Sequence, residues 1–510
     1  MKPAVITALW ICVIAVAGWL RFERLDQRPF HADEATGACL AARRMESGEG
    51  QFDPKHFHGP LLADLAIPLC RMRGETCWEE MTKGTLRTLP AMAGTLLVLL
   101  PLLWRRRCGD LPMLLAAALL ATSPLLVYYS RMFIHESLLA LLGMAALLAL
   151  TRRPRWAIPG VLVGLMYTTK ESFAISLIAW TGAGLLVAWE NRQALDRATL
   201  AAAWRQCRWP VALSLLAAAV TTLGVYSDGF RHPQGALDAL RTFFVYQTGA
   251  GHDKPWSYYL QLLALPAKSG GVWWYGTPLF ALALFAYAAT FRRGPDAVPG
   301  RASIRFVAYA AAGHFLIYSL IAYKTPWLAC LPLAHVCLLG GCAFAGFSRR
   351  RPPLQIALAL LAGAGLVTQF QQARHATGRY AADARNPYAY VPTQADIERL
   401  VQWLDELRKN APGGTLEPIA VIGTERWPLP WYLRSLGKID YWPTLAEFPG
   451  PPEGLAQLPL VFALPDAAEP VMTTLGKSHM PLLRGLRANV PLYVFVRNDV
   501  WQRWMDPGSR

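Results

Sequence analysis

The chain has 510 residues, 54% of them hydrophobic and only 16% charged, with 19 Trp, 18 Tyr and a formal net charge of +16. Its mean hydropathy is +0.25. A soluble globular chain is roughly a quarter charged, so this composition excludes an ordinary cytosolic enzyme. The basic residues sit in short clusters between apolar runs rather than along one amphipathic face, which excludes nucleic acid as a partner.

The first apolar run, residues 3–20, follows a single Lys2 and approaches spanning length. Ala15-Val16-Ala17 resembles a leader cleavage site. A retained first helix is the reading adopted, because the charge pattern described next works with it in place. Ten further apolar runs follow, near 89–104, 111–128, 134–150, 156–169, 173–189, 209–226, 271–291, 306–323, 327–347 and 354–371. About eleven transmembrane helices are therefore expected. Arg105–Arg107, Arg152/Arg153/Arg155, Arg192/Arg197/Arg205/Arg208, Arg292/Arg293/Arg301/Arg305 and Arg349–Arg351 all fall on one side under this count. With Lys2 these make about 18 basic residues, against Asp110, Glu190, Asp196 and Asp296. Such an excess marks the cytoplasmic side, where the N-terminus lies.

The other side, read as the periplasmic face of a bacterial inner membrane, receives loop 21–88, the turns 129–133, 168–172 and 324–326, loop 227–270 and the C-terminus. Loop 21–88 is nearly neutral, with about ten basic and eleven acidic residues. It also holds Cys70 and Cys77, which an oxidising compartment would allow to pair. Two domains are expected: a transmembrane domain, 1–371, and a periplasmic α/β domain, 372–510. In the second, Thr393 is placed to cap a helix whose Ile397, Leu400, Val401, Leu404 and Leu407 repeat at helical spacing. Pro418–Gly423, Pro459–Leu464 and Leu492–Val496 read as strands, and Pro428–Leu436 as a helix between two of them.

Chemistry-bearing residues cluster on the outer side, near helix ends. His31-Ala32-Asp33-Glu34 follows the first span; its carboxylates would equally cap a helix over Ala35–Met45. Asp53-Pro54-Lys55-His56-Phe57-His58-Gly59-Pro60 comes next. His56 and His58 are two apart and do not share a helical face, so a helical metal pair is excluded. A loop-borne divalent-metal set of Glu34 and His58 stays open. Tyr128-Tyr129-Ser130-Arg131 leads into Glu136, an ionisable group at the start of an apolar helix, where such groups are costly and usually partnered. Lys170-Glu171, His252-Asp253-Lys254 and Tyr323-Lys324 complete the set. Carboxylates that activate a hydroxyl, facing cations that bind phosphate, suit transfer from a lipid-linked phosphate. Phosphate is a weak base and leaves a sugar carbon without a general acid, so a single carboxylate base suffices.

The ordered set resembles the GT-C superfamily, integral-membrane glycosyltransferases that use polyprenyl- or dolichyl-phosphate sugars. His31–Glu34, His58-Gly59-Pro60, Tyr129-Ser130-Arg131 with Glu136, Gly251–Trp256, Tyr323–Trp327, Asn386–Pro392 and Trp427–Arg434 look more narrowly like one branch. That branch is the flippase-activity-associated family of predicted glycosyltransferases, related to protein O-mannosyltransferases and lipid A aminoarabinose transferases. The resemblance implies sugar transfer from a polyprenyl-phosphate donor to a lipid, glycan or protein acceptor at the periplasmic face. It implies inversion with Asp33 as base and Glu34 as its neighbour in a metal or acceptor site. Arg131 and Glu136 match the second motif, and Lys324 would bind donor phosphate. The chain departs from the lipid A transferases in having His58, with Lys55 nearby, where they carry a Lys. A non-catalytic accessory to lipid-linked sugar translocation is the alternative.

Overall fold

The computed structural model describes residues 2–48, 52–55, 58–150, 157–192, 196–245, 251–292, 298, 300–347 and 350–506. His56 and several of the basic residues counted above, among them Arg152, Arg293 and Arg349, fall outside them. Helix α1 (Pro3–Phe22) is followed by two helices of the first long loop, α2 (Ala32–Ser47) and α3 (Leu61–Met72). Then come α4 (Lys83–Leu99), α5 (Arg105–Cys108), α6 (Asp110–Thr122), α7 (Pro124–Tyr129), α8 (Glu136–Leu150), α9 (Ala157–Thr169), α10 (Phe173–Glu190) and α11 (Arg197–Tyr226). The second long loop carries α12 (Gly235–Val245), α13 (Tyr258–Leu263) and a hairpin of β1 (Ala267–Ser269) and β2 (Val272–Trp274). The body closes with α14 (Thr277–Ala289), α15 (Arg301–Leu320), α16 (Cys330–Cys342) and α17 (Pro352–Thr377).

Five helices are long and apolar enough to cross a membrane by length and composition: Pro3–Phe22, Lys83–Cys108, Phe173–Glu190, Arg197–Tyr226 and Pro352–Thr377. Asp110–Thr122, Glu136–Leu150, Ala157–Thr169, Thr277–Ala289 and Pro326–Cys342 are shorter apolar helices. The protein is a helical multi-pass membrane protein. The expected span 111–128 is broken at Ser123-Pro124, where Pro124 lacks the N–H that would continue α6 into α7. Small residues let helices approach: a Cβ on Gly160 of α9 would stand 2.1 Å from the Ser214 carbonyl oxygen of α11. All nine cysteines are unpaired, so Cys70 and Cys77 do not form a bridge.

The C-terminal region is α/β: α18 (Asp396–Asn410), β3 (Ile419–Ile422), α19 (Leu429–Leu433), β4 (Ile439–Trp442), β5 (Leu460–Ala463), α20 (Ala468–Leu475), β6 (His479–Arg487), β7 (Val490–Arg497) and α21 (Asn498–Met505). The sheet order is β4-β3-β5-β7-β6, with β3 parallel to both neighbours and β7 antiparallel to β5 and β6. Strands β3 and β5 are buried along their whole length, as expected of strands covered on both faces. Ile397, Leu400, Leu404 and Leu407 bury the inner stripe of α18. Thr393 does not cap that helix; its hydroxyl donates instead to the Phe30 carbonyl (2.8 Å).

That bond belongs to the interface that seats the sheet region on the helical body. The Phe30 N–H donates to the Tyr432 hydroxyl (2.6 Å), and the Phe30 ring packs 4.2 Å from that of Trp431. The Tyr129 hydroxyl donates to the Tyr388 carbonyl (2.5 Å), and Lys83 pairs with Glu398 (2.8 Å). Phe30 is fully buried. Phe30→Ala should cost about 3–5 kcal/mol, the usual loss for truncating a buried Phe. The expected outcome is a lower thermal midpoint in detergent and earlier proteolytic release of the segment after Thr377; wild-type behaviour in both would show that Phe30 is not the anchor.

Candidate active site

His31 sits at the N-cap of α2: the Asp33 N–H donates to its Nδ1 (3.2 Å), and its own N–H donates to the Glu34 carboxylate (3.0 Å). With Nδ1 accepting, the ring proton lies on Nε2 and is donated to the Tyr390 carbonyl (3.1 Å). The helix therefore begins at Ala32, three residues before the expected Ala35. This cap turns the two adjacent carboxylates in opposite directions.

Glu34 is turned inward and is fully buried. Arg87 of α4 grips it from Nε (2.7 Å) and from a terminal nitrogen (2.8 Å), while the Phe133 N–H donates at 2.8 Å and Arg28 approaches at 3.4 Å. The remaining Arg87 protons go to the carbonyls of Leu25, Arg28 and Pro29, so all five of its donors are used. Burial alone would raise the Glu34 pKa, but Arg87, Arg28 and the His31 N–H outweigh it and hold the carboxyl at about 2. Asp33 is turned outward, with its side chain 55% exposed, into a cavity of about 360 Å3.

The opposite wall is built by two turns. Gly59 lies so close to the Thr168 carbonyl that a Cβ would stand 2.1 Å from its oxygen, and this contact seats His58 beside Lys170-Glu171. The His58 Nδ1 meets the Glu171 carboxylate at 3.0 Å, and its ring stands edge-on to His135, with centroids 5.1 Å apart. Burial would raise the Glu171 pKa; His58 and Lys170 overcome it and hold it at about 2. Lys170 Nζ pairs with Glu136 at 2.6 Å, both nearly buried. His58, His135, Glu136 and Lys170 line the same cavity as Asp33.

The roof comes from far along the chain. An antiparallel bridge between Asp253 and Tyr323 zips loops 252–254 and 322–324 together and directs His252 and Tyr323 to the cavity. His252 Nδ1 bonds the Tyr390 hydroxyl (2.5 Å). Arg487, at the end of β6, also lines the cavity; it is held by Glu425 at 2.6 Å and by a bridge to Thr393.

The structure thus brings together Asp33, His58, Glu136, Lys170 and Tyr323, with Glu171 in the layer behind. It moves others elsewhere. Lys324 is buried and its Nζ donates to the carbonyls of Lys254 and Ile321, so it staples the two loops instead of facing the cavity. Lys254 and Lys55 do not line the cavity either; Lys55 borders a separate one with Arg43, Arg44 and Asp238. Arg131 donates to the Leu20 carbonyl (2.9 Å) and borders a third cavity. Glu34 and His58 do not fit a metal site, because the two Glu34 oxygens face Arg87 and backbone N–H groups. Among the described residues no cluster of three or more His, Cys, Asp or Glu is arranged to hold a metal ion. His252 and Tyr390 belong to expected motifs in which they carried no role of their own, whereas Arg28, Arg87 and Arg487 are absent from the expected set. Arg87 carries a signal, a charge opening an apolar helix; Arg487 is one basic residue in a strand and carries none.

No protein-family model matches the sequence, and no curated protein matches it. Solved structures do. ArnT from Cupriavidus metallidurans, solved in the apo state and bound to undecaprenyl phosphate, superposes with a TM-score of 0.64 at 15% identity, over 96% of this chain and 98% of that one. The chain has the GT-C fold. The archaeal oligosaccharyltransferase AglB from Archaeoglobus fulgidus, in complex with an inhibitory peptide and a dolichol-phosphate, gives 0.55 at 14% identity, over 91% of this chain and 69% of that one. Within this fold, part of the expected residue set surrounds one cavity.

Glu34→Gln should destabilise the protein by about 3–5 kcal/mol, since it leaves Arg87 buried without its counter-charge. The stabilisation from the Glu34 charge is present above its ordinary value of 4.5 and is lost as pH falls through about 2. Thermal midpoints recorded from pH 7 down to pH 3 should fall for the wild type and fall less for Glu34→Gln; parallel curves would show that Glu34 does not carry the acid dependence.

Proposed function

We propose that this protein is a membrane glycosyltransferase that moves a sugar from a polyprenyl-phosphate donor to an acceptor at the periplasmic face, with inversion and with Asp33 as base. The single observation that carries this reading is the exposed Asp33 carboxylate in a cavity also lined by Lys170, His58 and Arg487. The likeness of fold to ArnT, solved with undecaprenyl phosphate, supports the donor class. The topology that goes with it has eleven spans, the N-terminus in the cytoplasm and the C-terminus outside. Residues 1–371 form the transmembrane domain and 372–510 the periplasmic domain, with α17 running across their junction.

In this mechanism Asp33 takes the proton of an acceptor hydroxyl. The hydroxyl oxygen attacks the anomeric carbon, and the bond from that carbon to the phosphate oxygen breaks with its electron pair on the lipid phosphate. That leaving group needs charge stabilisation rather than a proton. Lys170, held in place by Glu136, and Arg487, held by Glu425, supply it. His58, fixed by Glu171, lines the same cavity beside them. Glu34 is a positioning residue: with Arg87 it holds the first turn of α2, and so Asp33, in register with the opposite wall. No step requires a metal held by Glu34 and His58.

Asp33→Asn should leave insertion and thermal midpoint unchanged and lower the transfer rate about 10²–10⁴-fold, the usual contribution of a positioned base. The assay uses purified protein with a radiolabelled polyprenyl-phosphate sugar. Full activity in this variant would remove Asp33 from the mechanism. Donor flipping without transfer by the wild type would favour the accessory reading.

A further inference from the structure

The third cavity, the one that Arg131 borders, opens beside the C-terminal ends of α1 and α17. It has a volume of about 330 Å3 and is lined by Arg24, Arg28, Arg87, Arg131 and Arg379. Asp383 is the one carboxylate in its lining, and Arg385 holds it at 2.6 Å. The nearby Glu34 is taken by Arg87 and Glu23 by Arg374. Seven guanidiniums (Arg24, Arg28, Arg87, Arg131, Arg374, Arg379 and Arg385) thus face three carboxylates (Glu23, Glu34 and Asp383), a surplus of four positive charges.

Structural duties account for only part of that surplus. Arg87 and Arg131 staple backbone carbonyls, as described above. Arg28 reaches Glu34 and the Arg131 carbonyl (3.0 Å), with its guanidinium 4.9 Å from the Tyr128 ring centre. Arg24 and Arg379 are exposed and border the cavity; among the described residues neither is in a salt bridge, although Arg379 lies 5.3 Å from the Tyr380 ring centre and its charge acts on Asp383. Arg24 also sits at φ 53°, a left-handed conformation that is strained for a non-glycine residue. Burial, and after it the nearby charges of Arg28 and Arg87, lower the Arg131 pKa to about 10, so the cations are crowded against one another. At the level of the same helix ends Trp19 packs on Phe370 and beneath Arg374, the kind of aromatic girdle found at headgroup depth.

We propose that this cavity is a second anion site, which takes a phosphate-bearing group at the outer membrane surface and is separate from the Asp33 cavity. Phosphate oxygens match guanidinium donors in geometry as well as in charge. The wall between the two cavities is the Glu34–Arg87 pair: Arg28 and Arg87 border one side, and Asp33, adjacent to Glu34, borders the other. The phosphate belongs either to an anionic lipid headgroup or to a soluble phosphate, and the two sources are separable by experiment. The site stands independently of the transfer reaction.

The test uses the full-length protein in two arms. In detergent, inorganic pyrophosphate is titrated against the thermal midpoint. In nanodiscs, retention of phosphatidylglycerol relative to phosphatidylcholine is read by native mass spectrometry. A midpoint that rises with pyrophosphate supports a soluble anion, and selective retention of phosphatidylglycerol supports a headgroup. In whichever arm responds, the Arg24→Ala/Arg379→Ala variant should bind at least tenfold more weakly, whereas Asp33→Asn should bind as the wild type does. Should the double variant fail to fold, Arg379→Ala alone carries the same comparison. No response in either arm, or a response that the arginine substitutions leave unchanged, overturns the proposal without touching the role of Asp33.

Discussion

The bidentate contact between Glu34 and Arg87 is the constraint on which the candidate site is built. Two opposite charges buried together are stable only when every remaining donor and acceptor is satisfied. Here they are: Arg87 spends its three other protons on the carbonyls of Leu25, Arg28 and Pro29, and Glu34 accepts from the backbone of His31 and Phe133. One ion pair therefore ties α4, the chain leaving α1, the first turn of α2 and the turn before α8 into a single rigid unit. Asp33 inherits its direction from this unit. It is free to face the cavity because its neighbour is not.

The rest of the site follows a similar division between groups that hold and groups that face outward. Glu136 holds Lys170, Glu171 holds His58, Lys324 staples the loops that carry His252 and Tyr323, and Glu425 holds Arg487. Lys170 and His58 thus have a buried or half-buried counterpart behind them, which restricts their motion, whereas the Glu425 that holds Arg487 is exposed. The C-terminal region takes part directly. Its Tyr390 and Arg487 close the roof, and the Phe30 contacts with Thr393, Trp431 and Tyr432 carry that roof on the same stretch of chain that carries Asp33.

Much of this was legible from local pattern. Apolar runs marked the helices, and the stripe Ile397, Leu400, Leu404, Leu407 marked α18, because helical periodicity is a property of neighbouring residues. The clusters near Asp33, Glu136, Lys170 and Tyr323 were legible too, since ionisable groups at apolar helix ends are costly and stand out. What could not be read was which member of each cluster faces which way. Asp33 and Glu34 are adjacent and chemically alike, and only the position of Arg87, more than fifty residues on, separates them. Lys324 and Lys170 likewise appear equivalent as cations in outer turns, yet one is consumed by carbonyls and the other meets Glu136.

By itself the sequence determined the class of the molecule, a helical membrane body with a small α/β region and ionisable residues clustered near helix ends. Hydropathy, charge placement and periodicity are short-range quantities that survive without coordinates. Only the tertiary structure decided the membership of the cavity, the burial of Glu34 against Arg87 and the arrival of Arg487 from the final hairpin. Those depend on which donors happen to lie within about 3 Å of a given oxygen once distant segments meet, and no local spacing encodes that.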